Sequence, residues 1–262
     1  MFDIHYHLVF GVDDGPKSIE DSLELAEASI AEGVTHIVAT PHASYNYPYQ
    51  AEVNRERLAI LSDRLSGRLT LGLGCDFHLS YDNLEQLEKN PRQFTINGSN
   101  YLLVEFPDHI NVPMYSEVFF RIMSMGVIPI ITHPERNRTL LESPKPIIDW
   151  VHNGCLIQVT AASLTGRFGN RCEILTRLLL KGNYAHIVAS DAHNTMGRAP
   201  AMGEAFDAIK RDFGQETSER LCISNPRAIF FGEAMPQQPE AVGPLYDKAS
   251  PAKKGFLARL LG

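Results

Sequence analysis

The chain has 262 residues, 44% hydrophobic and 21% charged, with ten His and four Cys. This composition belongs to a globular protein with a substantial core and excludes collagen-like, disordered and disulfide-scaffold classes. With 24 Lys plus Arg against 31 Asp plus Glu the formal charge is -7, and no basic run in the main body offers a phosphate-backbone track, so nucleic acid is not an expected partner.

No stretch approaches the roughly 20 consecutive apolar residues that cross a bilayer. The opening MFDIHYHLVFG has neither a basic segment nor a small-residue cleavage site, so a cytoplasmic location is expected. Cys75, Cys155, Cys172 and Cys222 form no C-x-x-C pair and read as buried free thiols. No Cys stands six residues before an Arg, as the C-x5-R loop of cysteine phosphatases requires; Cys172 and Arg177 are one residue short.

Phe2 to Ile4 opens the chain as a short strand-like run leading to His5 and His7. Ser18 and Asp21 then form a capping box for a helix whose apolar face is Ile19, Leu23, Ala26 and Ile30, ended by Gly33. The next run, Thr35 to Thr40, is followed by His42 and a helical stretch over Ala51 to Leu65. Leu69 to Gly74 precedes Asp76 and a helix over Asp82 to Lys89; Tyr101 to Phe106 contains Glu105 and precedes a helix over Tyr115 to Met125. Ile128 to Thr132 leads to His133 and a helix over Pro146 to Asn153. Cys155 to Thr160 precedes a helix over Asn170 to Lys181, and His186 to Ser190 leads to Asp191, His193 and a last helix over Ala199 to Phe213.

Seven strand-then-helix units argue for a parallel sheet with right-handed crossovers, opened out or closed as a barrel. Six of the seven place a metal-competent side chain at or near the C-terminal end of their strand. In an open sheet with strands about 4.8 Å apart, the outermost would lie roughly 29 Å from each other, too far to share one small site. A closed barrel gathers all these ends around one mouth. The expected fold is therefore α/β, a distorted seven-unit TIM-like (βα) barrel.

Residues 1–232 are expected to form the domain. From Glu233 to Gly262 the composition shifts to Pro, Ala and Gly and reads as a linker. It ends in a short basic amphipathic piece, with Lys253, Lys254 and Arg259 beside Phe256, Leu257, Leu260 and Leu261, whose two readings are a frayed tail and a segment that touches a partner or a membrane surface.

Period-two alternation puts His5 and His7 on one side of their strand. Alone H-x-H is a weak signal; joined by A-T-P-H at His42, H-P-E-R-N at His133 and S-D-A-H-N at Asp191 and His193, it becomes a site. Imidazole plus carboxylate without thiolate suits Mn, Fe, Zn or Co, and the groups are too many for one ion. Asp14, Asp76, Glu105 and Asp191 with five neutral His carry -4; three dications leave +2, matching a phosphate dianion, whereas two leave zero. This favours a multinuclear phosphoesterase.

MFDIHYHLVFGVDDG, VATPH, LVEFP, ITHPERN and ASDAHN, in this order and spacing, resemble the polymerase and histidinol phosphatase (PHP) superfamily, and within it the bacterial manganese-dependent tyrosine-protein phosphatases of the CpsB, CapC and YwqE type. The resemblance covers about residues 1–232. It implies the PHP barrel, three divalent metals with Mn favoured over Fe, Zn, Co or Mg, and removal of phosphate from a bacterial tyrosine kinase that controls capsule or exopolysaccharide synthesis. It also implies that His5, His7, Asp14, His42, Asp76, Glu105, His133, Asp191 and His193 are metal ligands and that Arg136 and Arg198 grip the phosphate, as planar guanidinium forks do. Asp76 departs from the pattern, which usually has Glu there; a carboxylate one methylene shorter bridges two metals less readily, and His78, two residues on, either compensates or sits at the rim.

Asp13 is expected to order its loop, and Glu135 to orient Arg136 or a metal-ligating histidine. His36 belongs toward the opposite end of the barrel, because six extended residues separate it from His42 by about 20 Å. His186, in the matching phrase A-H-I-V-A-S, is likewise not a ligand. His109 and His152 read as rim and helix-surface residues, and Tyr45, Tyr47 and Tyr49 as loop packing or as the wall of an aromatic-substrate pocket.

The expected chemistry is in-line attack of a metal-bound hydroxide on phosphorus. The alternatives are a PHP phosphatase for a small metabolite such as histidinol phosphate and a non-catalytic kinase-binding regulator; a nuclease is disfavoured by the charge.

Overall fold

The computed structural model describes residues 1–107 and 112–245. The elements alternate as expected: β1 (Phe2–Tyr6), α1 (Ile19–Ala31), β2 (His36–Ala39), β3 (His42–Ala43), α2 (Ala51–Leu65), β4 (Thr70–Leu73), β5 (Asp76–His78), α3 (Tyr81–Lys89), β6 (Tyr101–Glu105), α4 (Val112–Ser124), β7 (Ile128–Thr132), α5 (Arg138–Glu142), α6 (Lys145–His152), β8 (Leu156–Thr160), α7 (Asn170–Lys181), β9 (Ile187–Ala189), α8 (Met202–Phe213), α9 (Gln215–Glu219) and α10 (Asn225–Phe231). His109 and the basic amphipathic piece at the C-terminus lie outside the described residues.

The strands are parallel and fall into a three-stranded set, β1-β2-β4, and a six-stranded set, β3-β5-β6-β7-β8-β9. These are arcs of one closed circuit. β2 and β3 are the halves of one stave interrupted at Thr40 and Pro41, and β4 and β5 are the halves of the next, interrupted at Gly74 and Cys75. Across the breaks, Gly74 N donates to Ala39 O at 2.8 Å and Asp76 N to Pro41 O at 3.2 Å. Asp191 N donates to His5 O at 2.9 Å and His7 N to Ala192 O at 3.0 Å, which joins β9 to β1 and closes the barrel at seven staves.

Val38, Leu103, Ile130, Leu156 and Ile187 pack into one buried cluster within the barrel. Glu105, Thr132 and Gln158 follow two residues later on the same side of their strands, so a polar layer sits directly above an apolar one. Phe230 of α10 joins the apolar cluster from the N-terminal end of the strands, where Phe2 stacks on His36 with ring centroids 4.1 Å apart. His36 is thus at the end opposite the polar layer.

The capping box of α1 forms as expected: Asp21 N donates to Ser18 Oγ and Ser18 N to the Asp21 carboxylate. Of the expected face, Ala26 is buried and Ile19, Leu23 and Ile30 pack half-buried against the core, but the fully buried set also includes Ser22, Leu25 and Ser29. The reason is polar: Tyr6 Oη donates to Leu25 O and pairs with Ser29 Oγ, while Ser22 Oγ donates to Leu8 O, so serines and a tyrosine link the helix to β1.

Residues 233–245, expected as linker, run along the N-terminal end of the barrel. Asn183 Nδ2 donates to Glu240 O, Val242 N to Gly182 O at 2.9 Å, and Tyr184 Oη to Gly243 O at 2.9 Å, and Leu245 is buried. Among the described residues no helix is long and apolar enough to cross a membrane.

Candidate active site

The backbone gathers the strand ends before any side chain is considered. Register sets His42 beside Asp76 and His78 beside Glu105 on adjoining staves. His133 and Asp191 follow β7 and β9 in the left-handed region, with φ of 32° and 54°, turning each chain sharply inward where it leaves its strand. Gly15 is needed for closeness: a Cβ there would meet His7 O at 2.8 Å, so only glycine lets the loop carrying Asp13 and Asp14 press against β1.

All nine residues expected as ligands converge. They form four overlapping groups in which ligand atoms lie within 4.8 Å of one another: His7, Asp14, His42 and His193; His5, His7 and Asp76; His5, His133 and Asp191; and His42, Asp76 and Glu105. Nε2 of His5 is 3.3 Å from Asp191 Oδ1 and 3.4 Å from Asp76 Oδ2, Nε2 of His193 is 3.2 Å from Asp14 Oδ1, and Nδ1 of His42 is 3.2 Å from Asp76 Oδ2. Two ligands each about 2.1 Å from one cation, at 90 to 110°, lie about 3.0–3.4 Å apart, so the spacing suits shared metal better than direct hydrogen bonding. Among the described residues, His5 Nε2, His7 Nε2, His42 Nδ1, His193 Nε2, Asp191 Oδ1 and both Asp76 carboxylate oxygens are buried without a hydrogen-bond partner. So many unpaired polar atoms converging on one point are costly unless cations join them, and the donor set fits divalent metal. Asp76, despite its shorter arm, belongs to two of the groups.

The outer nitrogens of three histidines are fixed. His7 Nδ1 donates to Asp13 Oδ2 at 2.8 Å, His5 Nδ1 to Gln158 Oε1 at 2.9 Å, and His193 Nδ1 to Asp191 O at 2.9 Å, each presenting Nε2 inward. Asp13 also accepts from Gly15 N and His42 N, so it orders its loop as expected and holds His7 as well. Glu135 does not orient Arg136 or a histidine: its Oε1 accepts from Thr160 N and Ser163 Oγ, both at 2.8 Å, and pins the loop after β8. Gln158 was not among the sequence candidates, because a single amide in an apolar strand has no motif; its inward register is the one signal that marks it. Asp3, two residues before His5 on the same side, accepts from Ser190 N at 3.1 Å and ties β1 to the turn carrying Asp191.

Burial opposes charge throughout the site, and the partners decide who keeps it. Burial drags His42 down, but Asp14, Asp76 and Glu105 overcome it and lift the imidazole to about 11; Asp76 and Asp191 lift His5 to about 9 against the same opposition. Burial lowers His133, reinforced by Arg136, and lowers His193 to about 4, reinforced by His7. Burial and the neighbouring Asp76 push Glu105 up to about 8. Asp76 and Asp191 stay ionised against burial through His5 and, for Asp191, the two arginines.

Arg136 Nη1 donates to Asp191 Oδ2, and Arg198 Nη2 donates to the same oxygen at 2.7 Å. Arg136 lies over the Phe168 ring, 4.4 Å from its centroid; Arg198 is fixed by its loop, its carbonyl accepting from His193 N at 2.8 Å. Both guanidiniums line a mouth cavity of about 370 Å³ with Asp14, His42, Tyr47 and Glu105, and His78 stands on its wall. A second, smaller hollow of about 180 Å³ adjoins at Glu105, His133 and Arg136.

The family model for capsular polysaccharide synthesis, CpsB/CapC, matches residues 1–231. This chain belongs to the CpsB/CapC family. Among its CpsB/CapC relatives, tyrosine-protein phosphatase YwqE of Bacillus subtilis (strain 168) is 35% identical over 248 residues, covering 91% of this chain and 95% of YwqE. Tyrosine-protein phosphatase CpsB of Streptococcus pneumoniae is 32% identical over 245 residues, covering 89% and 99%. A structure reported with YwqE from Bacillus subtilis and CpsB from Streptococcus pneumoniae, described as unique metal-dependent tyrosine phosphatases, matches with a TM-score of 0.85 and 32% identity over 93% of this chain and 100% of that one. A β-aspartyl dipeptidase from Fervidobacterium islandicum AW-1, at 16% identity and a TM-score of 0.55, shares the fold alone.

Proposed function

We propose that this CpsB/CapC chain is a metal-dependent tyrosine-protein phosphatase acting on phosphotyrosine of a bacterial tyrosine kinase in capsule or exopolysaccharide synthesis. The observation that carries the reading is the convergence of buried, unpartnered ligand atoms with two arginines on one open mouth. His5, His7, Asp14, His42, Asp76, Glu105, His133, Asp191 and His193 would hold the metals, three in number on the charge balance; the oxygen-and-imidazole donor set suits Mn, Fe, Zn or Co, of which the family resemblance favours Mn. Bound divalent ions supply charge neutralisation at phosphate and activate water as the nucleophile.

Arg136 and Arg198 bind and orient the phosphate; their shared contact to Asp191 aims both forks at one place before substrate arrives. Asp13 and Gln158 keep the outer nitrogens of His7 and His5 protonated, so the inner nitrogens remain ligands. When the P–O bond of phosphotyrosine breaks, the tyrosine side chain departs as a phenolate, whose phenol has an unperturbed pKa of about 10, far more easily than a serine alkoxide does. The open mouth, shared with a second hollow, favours a phosphate carried on a peptide over one on a metabolite such as histidinol phosphate.

The test is phosphate release from a phosphotyrosine peptide, with a phosphoserine peptide and histidinol phosphate in parallel, using Mn-loaded protein, chelated protein and Arg136→Ala. Turnover selective for phosphotyrosine and lost on chelation and on substitution supports the proposal. Turnover of histidinol phosphate alone would reassign the substrate; no turnover despite three bound metals would favour a kinase-binding regulator.

A further inference from the structure

The three tyrosines that follow His42 do three different things. Tyr49 is structural: its hydroxyl donates to Gly74 O at 3.1 Å, and its ring packs on Phe94, 5.4 Å between centroids, against the core. Tyr45 is 97% exposed at the tip of the loop. Tyr47 faces the mouth cavity, and its ring lies nearly parallel to that of His42, at 16° and 5.9 Å between centroids.

Tyr47 is held there by its backbone. Ser44 N donates to Tyr47 O at 3.0 Å and Tyr47 N to Ser44 Oγ at 3.2 Å, so reciprocal bonds close a tight turn that needs no aromatic side chain. The ring is outside the hydrophobic core, and among the described residues His42 is its one ring neighbour. A half-buried ring on a fixed turn, doing nothing for the core and bordering a cavity that also holds Arg136 and Arg198, is placed to meet what the phosphate is attached to.

We infer that Tyr47 is a specificity-determining residue that receives the aromatic ring of an aryl phosphomonoester, distinguishing phosphotyrosine from phosphoserine. This rests on the phosphatase reading above. Both arginines line the cavity that Tyr47 walls, so an aryl group attached directly to a phosphate they grip lies beside that wall, and offset stacking there rewards a flat ring. The alkyl stem of phosphoserine presents no face to stack on. Such a contact is worth about three- to tenfold in affinity.

The test compares Tyr47→Leu and Tyr47→Phe with the unsubstituted, metal-loaded protein, on phosphotyrosine and phosphoserine peptides of identical sequence. KM is read where there is turnover, and the inhibition constant where the peptide binds without turnover. Tyr47→Leu should raise KM for the phosphotyrosine peptide about three- to tenfold at nearly constant kcat, change binding of the phosphoserine peptide less than twofold, and leave the melting temperature unaltered; Tyr47→Phe should restore the selectivity. An equal loss on both peptides, unchanged selectivity in Tyr47→Leu, or failure of Tyr47→Phe to restore it would overturn the assignment. Absence of phosphotyrosine turnover by the unsubstituted protein would instead remove the phosphatase reading on which the assignment stands.

Discussion

Asp13 Oδ2 lies 2.8 Å from His7 Nδ1 while its other oxygen accepts from Gly15 N at 2.9 Å, so one buried carboxylate fixes both an imidazole and the loop that delivers Asp14. Burial raises and the His7 bond lowers the Asp13 pKa, which settles at about 2 and keeps it an acceptor at neutral pH. Asp13→Asn replaces that acceptor with an amide able to turn its NH₂ toward His7, releasing the ring. Metal affinity is expected to fall about 10- to 100-fold with the fold retained; a metal titration followed by mass spectrometry would expose unchanged affinity as a failure.

Arg136 and Arg198 share Asp191 Oδ2. Replacing either by Lys keeps the charge but loses the planar fork, so Lys is expected to rescue poorly. Arg136→Ala and Arg198→Ala should each lower kcat/KM about 10²-fold and weaken inhibition by inorganic phosphate, with bound metal unchanged. Loss of metal along with activity would mean that the arginines serve the centre and not the substrate.

His186 offers a pH test far from the metals. Burial, helped by Arg220, lowers it to about 4, and its Nδ1 accepts from Ile157 N at 3.1 Å, a bond that protonation destroys. Its folded pKa lies below the unfolded value of about 6.5, so the unfolded chain binds the proton first. The stability it contributes is complete above about 6.5 and declines as pH falls toward 4, by at most about 3 kcal/mol. His186→Asn keeps an acceptor and removes the titration. The stability difference between the two proteins, from denaturant melts of metal-free samples at pH 7 and pH 4.5, should change in favour of the variant on acidification; a constant difference refutes the account.

Ending the chain at Gly232 removes the segment that bonds to Gly182, Asn183 and Tyr184 and buries Leu245. With them go the reciprocal bonds between Gln238 and the buried Asn225, the bond from Tyr101 Oη to Glu233 O at 2.7 Å and the packing of Met235 on the core, so the expected cost is roughly 5–10 kcal/mol. Because the segment lies at the opposite end of the barrel, metal content and kcat should survive at temperatures well below the melt. A drop in kcat without a drop in melting temperature would contradict this.

One stave and two helices were legible to the residue: the β-branched run Ile128–Thr132, and Ala51–Leu65 and Asn170–Lys181, whose apolar residues recur at helical spacing, stand at the expected bounds. The breaks at Pro41 and Gly74 were not, since periodicity cannot separate a strand from two halves of one; the consequence is that His42 and Asp76 open short strands rather than trailing longer ones. The helical stretch from Gln215 to Phe231 escaped because it contains a π-helical turn at Arg220–Ser224 and a proline, and its burial, not its pattern, makes it helical. At the site, histidines and carboxylates announce themselves by chemistry, and their convergence followed from closing the barrel. Gln158, Asp3 and the second duty of Asp13 depend on who faces whom across strands, which only register supplies.

The left-handed turns at His133 and Asp191 have a consequence for how such a barrel ages under selection. At these two positions the backbone prefers glycine or asparagine, while the proposed chemistry demands an imidazole and a carboxylate. A screen that rewarded heat resistance and ignored turnover would draw both positions away from their present residues, ending with a sturdier barrel that had gone silent.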